Sequence, residues 1–144
     1  MNITKARFVA CFLDIICLNV FILIFENVFD FEILIILIEP IYYVAFHTLN
    51  GQTLGKMFAQ IKVVCINQKP ANLKTIIIRE IPLILITIIA LITYFITNNF
   101  GEHLYDRFLG VYTFWLLIDF IFIFSNSKRQ SIHDIIAKTF VIKT

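Results

Sequence analysis

Residues 7–18 read RFVACFLDIICL, an apolar run that carries a full positive charge at Arg7 and a full negative charge at Asp14. Apart from these two, the segment suits a helix bound for a hydrocarbon core, where an isolated charge is strongly disfavoured. At 100° per residue, position 14 returns to within about 20° of position 7 around the helix axis. Ala10, Cys11, Cys17 and Leu18 share that face, whereas Phe8, Phe12 and Ile15 point elsewhere. A narrow face of small and polar side chains allows close helix approach in lipid and gives polar groups partners. The helix is therefore expected to turn Arg7 and Asp14 toward its neighbours.

The rest of the chain has the same character. Of 144 residues, 60% are hydrophobic and only 15% charged, against roughly a quarter charged in soluble domains. The composition predicts an all-α integral membrane protein, a single domain over residues 1–144 with four transmembrane helices. Its spans are Phe8–Phe25, Ile33–Leu49, Ile76–Ile96 and Phe108–Phe124, each close to the roughly 20 residues a bilayer core requires. The second and fourth are short and need interfacial residues to complete them. The first is too long for a removable signal peptide and lacks a small-residue cleavage site, so it reads as a retained helix.

Basic residues set the expected orientation. With both termini inside, Lys5, Arg7, Lys56, Lys62, Lys69, Lys74, Arg79, Lys128, Arg129, Lys138 and Lys143 fall on the cytoplasmic side. Only Arg107 falls outside, among Glu26, Asp30, Glu32, Glu102 and Asp106. The net charge of +2 is thus a topology signal and does not point to a nucleic-acid partner. Cys11 and Cys17 in the first helix and Cys65 on the reducing side predict no disulfide framework. No internal repeat stands out.

Two pieces do not span. In NGQTLGKMFAQIKVVCINQKPANL (50–73), Gly51 can stop the preceding helix. Leu54, Met57, Phe58 and Ile61 then recur at helical spacing, predicting a short amphipathic helix in the membrane interface. Lys62–Ile66 reads as extended and Asn67–Pro70 as a turn. In SNSKRQSIHDIIAKTFVIKT (125–144), Ser131 and Asp134 form a helix-start signal. Thr139–Ile142 reads as a strand that can pair with Lys62–Ile66 in a small cytoplasmic two-stranded sheet.

The intramembrane charges are the candidate site. Arg7 suits an interfacial anchor, while Asp14, roughly 10 Å deeper along the helix, needs a partner, a water-filled cavity or a proton. It reads either as a structural partner of Arg79 or Arg7, or as a cation or proton site. Glu39 beside Pro40, and Asp119 near the end of the last span, join it as candidate cation or proton ligands. Tyr42 and Tyr43 can instead hydrogen-bond Glu39, and Asp119 can serve helix packing. Arg79 and Glu80, followed by Pro82, complete a charge network with Arg7 and Asp134. GQTLGKM lacks the spacing and the final Ser or Thr of a phosphate loop. Gly51 and Gly55 sit outside the hydrocarbon and make no dimerisation face. His47, His103 and His133 are scattered over both sides of the membrane without metal-ligand spacing, and no nucleophile–base pair appears. Neither an enzyme nor a metal or cofactor is expected.

These residues resemble the RDD family of membrane proteins, named for one arginine and two aspartates. The resemblance is carried by R-x-x-A-x-x-x-D at Arg7, Ala10 and Asp14, by GQTLGK with the following KVV, by Arg79 and by KRQSIHDIIAKTFVI (128–142). It assigns the arginine to Arg7 and the aspartates to Asp14 and Asp134. One departure is Lys138, where members often carry glycine. The resemblance implies small-ligand movement, with some members similar to sodium–proton antiporters. The expected function is binding or transport of a small cation or proton through the inner-leaflet charges, in a bacterial cytoplasmic (inner) membrane, among lipids and as a homo-oligomer. The rival is a non-transporting scaffold whose charges are a static packing network.

Overall fold

The computed structural model describes residues 2–28, 32–97 and 102–144. Among the described residues six helices and two strands follow one another: α1 (Ile3–Val28), α2 (Glu32–Asn50), α3 (Leu54–Phe58), β1 (Ile61–Cys65), α4 (Leu73–Thr97), α5 (Glu102–Ser125), α6 (Ile132–Ile136) and β2 (Thr139–Lys143). Among the described residues, two helices are long and apolar enough to cross a membrane, over Ile3–Ile24 and Leu73–Ile96, and α5 adds a shorter apolar run, Thr113–Ser125. The residues expected on the outer side (Glu26, Asp30, Glu32, Glu102, Asp106 and Arg107) lie outside those whose side chains are described.

α1 is oriented as its face predicts. Ala6, Arg7, Ala10, Asp14 and Leu18 are buried, while Phe8, Phe12 and Ile15 are exposed. α4 repeats the pattern, burying Ile76, Arg79, Glu80, Leu83, Thr87 and Ala90 along one stripe. It begins earlier than expected because Asn72 caps it, accepting from the Thr75 N–H at 2.9 Å. Pro40 and Pro82 lie inside α2 and α4, which continue through them as single helices.

α2 stops at Gly51, whose φ of +68° is the left-handed conformation that favours glycine. A Cβ there would also press on the Val63 carbonyl oxygen at 2.9 Å. α3 then starts at the Thr53 cap and ends at Phe58, so Ile61 is not the fourth member of a helical stripe. Gln60 turns the chain at φ +54°, and Ile61 opens β1 instead, fully buried.

The expected strand pairing is present. β1 and β2 run antiparallel, Val63 opposite Val141, with Ile61 facing Lys143 and Cys65 facing Thr139. A lone two-stranded ribbon is marginal in water. This one is backed by α1, since Ile61, Val63 and Val141 pack with Ala6, Ala10 and Ala59 in one apolar cluster.

The structure also contains a repeat that the sequence analysis did not detect. Thr53 and Ser131 cap five-residue helices with φ/ψ of −81°/170° and −80°/171°. Ala59 and Ala137 end them, and Gln60 and Lys138 follow at φ +54° and +53°. Each unit then enters a five-residue strand. The offset is constant, so the centre of the sheet, Val63 against Val141, pairs equivalent residues. Over residues 53–65 and 131–143 only Ala59/Ala137 and Val63/Val141 are identical, too little to register as a sequence repeat.

Lys138 therefore keeps the left-handed turn without glycine. Lys138→Gly is expected to stabilise the protein by about 1 kcal/mol, the relieved backbone strain exceeding the added chain entropy. Thermal unfolding in detergent micelles measures the gain.

Candidate functional site

Asp14 is 1% exposed and accepts three hydrogen bonds. Tyr42 Oη donates to Oδ1 at 2.6 Å, Thr53 Oγ1 to Oδ2 at 2.6 Å, and the Gly55 N–H to Oδ1 at 2.8 Å. Tyr42 Oη in turn accepts from the Leu54 N–H at 3.0 Å. The carboxylate thus pins the first turn of α3 against α1. Gly55 makes this approach possible, for a Cβ would fall 2.9 Å from the Asp14 carboxyl carbon and nearer still to the Ala10 carbonyl. The expected pairing of Asp14 with Arg79 or Arg7 is not what forms; hydroxyls and an amide satisfy it instead.

Both arginines go to Asp134, which is fully buried. Arg7 Nη2 lies 2.5 Å from its Oδ2 and Arg79 Nε 3.1 Å from its Oδ1. The Ser131 N–H, at 3.3 Å, also donates to Oδ2, the helix-start contact that the S-x-x-D spacing predicts. Arg7 further donates to the Arg129 carbonyl at 3.0 Å and to Ser131 Oγ at 3.1 Å. Burial by itself would raise the Asp134 carboxyl, but the Arg7 and Arg79 guanidiniums, with His133, hold it well below the usual carboxylate range.

A third network runs from Arg79. Its Nη1 donates to Glu80 Oε1 at 2.9 Å. The same oxygen lies 3.1 Å from His47 Nδ1, and His47 Nε2 meets Lys56 Nζ at 2.9 Å. On the other side Arg79 Nη2 reaches His133 Nε2 at 2.8 Å, and His133 Nδ1 lies 2.7 Å from Asp119 Oδ2. Each histidine stands between a cation at Nε2 and a carboxylate at Nδ1. Asp119 also accepts from the Ile132 N–H at 3.0 Å. By the repeat, this matches the Leu54 N–H donating to Tyr42.

These groups border a partly open cavity of about 110 Å³ lined by residues of the six described helices, with Cys11, Tyr43 and Trp115 in its wall. That space holds several waters. Of the predicted cation or proton ligands, Asp14 and Asp119 line it, whereas Glu39 is half-buried on α2 outside the lining. Tyr42 turns its hydroxyl to Asp14. His47 and His133, read as scattered, meet the same guanidinium. The His103 side chain lies outside those described. Tyr42, Thr53, Gly55 and Lys56 were not predicted as site residues; only GQTLGK placed three of them in a recognisable motif. Burial, with the Arg79 guanidinium adding to it, depresses Lys56 to about 8 against the opposing pull of Asp14 and Glu80.

The RDD family model matches residues 4–138. The chain belongs to the RDD family. Among curated proteins and among solved structures nothing matches. In this RDD protein the arginine that opens the motif reaches the second aspartate, across the length of the chain, and the first aspartate holds the GQTLGK segment.

Two outcomes follow from these networks. Asp134→Asn leaves two buried guanidiniums facing a neutral amide and is expected to destabilise by about 3–5 kcal/mol, read as a lowered melting temperature in micelles. Lys56 adds a pH dependence on the alkaline side. Its folded value lies below the ordinary 10.5, so between about pH 8 and 10.5 the unfolded chain binds the extra proton and stability rises with pH. That rise is expected to be missing from Lys56→Gln.

Proposed function

We propose that this RDD protein binds and passes a small monovalent cation or a proton at the cavity, as a non-enzymatic, four-span protein of a bacterial cytoplasmic membrane. Both termini, the two short helices and the sheet are placed on the cytoplasmic side. The basic bias supports that orientation, with eleven of the twelve Lys and Arg residues on one side. α2 and α5 supply the second and fourth spans.

One observation carries the reading. The Lys56–His47–Glu80 and Arg79–His133–Asp119 chains converge on one cavity, to which each repeated unit contributes one side chain, Lys56 and His133. Ionisable groups buried among spans are expensive to keep and are functional candidates for that reason. Asp14 and Asp134 support a different role. Their oxygens are engaged by fixed donors, which favours the scaffold reading for these two carboxylates, while the cavity groups carry the exchange. A bundle this thin is proposed to act as a homo-oligomer among membrane lipids.

Flux in proteoliposomes tests this with a panel of sodium, potassium and lithium gradients. Glu80→Gln and Asp119→Asn are expected to accumulate in the membrane and lose at least tenfold in flux, and Asp14→Asn to accumulate poorly. Absence of flux from the parent protein for every ion and for protons would leave the scaffold reading in its place.

A further inference from the structure

The following rests on the cavity being a cation or proton site, and adds the group that switches it. Asp14 fixes α3 against α1, and this delivers the Lys56 side chain into the cavity wall. The charged and titratable groups facing it come from every packed helix: Arg7, Cys11 and Asp14 on α1, Tyr43 and His47 on α2, Arg79 and Glu80 on α4, Asp119 on α5 and His133 on α6. Apart from the histidines, the cations Arg7, Lys56 and Arg79 balance the carboxylates Asp14, Glu80 and Asp119 on the wall. Asp134, clamped between the arginines, adds one further negative charge.

Of the three cations, the two guanidiniums stay charged at any physiological pH, whereas an ammonium on a flexible stem can lose its proton. Loss of that proton leaves the wall one charge more negative, in a space large enough for a dehydrated or partly hydrated ion. We propose that the Lys56 ammonium is a tethered cation filling the cavity's cation position, and that a small monovalent cation replaces it when Lys56 releases its proton. The N–H bond at Nζ breaks, the proton leaves to cytoplasmic water, and the entering ion restores the same charge in a wall that carries the Glu80 and Asp119 carboxylates. Ammonium and free ion exclude each other, so the exchange is one for one. Burial and Arg79, which hold Lys56 near 8, bring this release within reach of cytoplasmic pH.

The full chain, labelled with ¹³C,¹⁵N-lysine in micelles, is titrated by NMR in sodium, potassium, lithium or choline chloride at matched ionic strength. Lys56→Arg identifies the resonance while keeping the charge. One lysine is expected to titrate about two pH units below the others and to be missing from Lys56→Arg. Its midpoint is expected to fall by about one unit in an alkali salt present at ten times its Kd, relative to choline. A Lys56 that titrates with the other lysines, or whose midpoint is the same in all four salts, overturns the proposal. Flux from the parent protein alongside an indifferent Lys56 sinks this inference alone. An alkali-dependent Lys56 without flux upholds it and sinks only the transport reading.

Discussion

A single buried carboxylate between two guanidiniums holds this protein in register. Asp134 sits on a five-residue helix near the C-terminus, yet its partners rise from α1 and α4, 127 and 55 residues away along the chain. None of the three charges tolerates burial alone. The position of α6 therefore fixes how α1 and α4 stand against each other, and those helices fix α6. Such a triad adds little net stability over a well-packed apolar alternative, but losing one member is costly. Its value lies in allowing one arrangement of the helices.

Asp14 solves the same problem by other means. Fixed hydroxyl and amide dipoles replace a counter-ion, and they come from α2 and the start of α3. Asp14 and Asp134 thus anchor the two helix–strand units separately, one by dipoles and one by charges. Because both units repeat the same local geometry, the strands that leave them meet about a common centre. The cavity takes Lys56, His47, Glu80, His133 and Asp119 from five different helices.

Local signals were legible where a short-range rule governs. The inward face of α1, the Gly51 stop, the Ser131–Asp134 helix start and both strands follow from spacing and residue type. The failures have long-range causes. Ile61 fits a helical stripe by periodicity, but the strand partner that claims it is some eighty residues away. Asp14 and Arg79 look complementary in charge, yet the helices bring Asp134 to the arginine and hydroxyls to Asp14. His47 and His133 share no spacing because different helices deliver them to Arg79.

The sequence by itself determined that the chain is apolar enough for a membrane and which side of α1 turns inward. It also marked the residues of the family motif, because composition, helical periodicity and capping are properties of neighbours along the chain. Only the tertiary structure decided which carboxylate each arginine serves and that Lys56 enters a cavity. It alone showed that two dissimilar segments form one symmetric pair. Charge pairing and enclosure depend on distances through space, and those are set by how the helices pack.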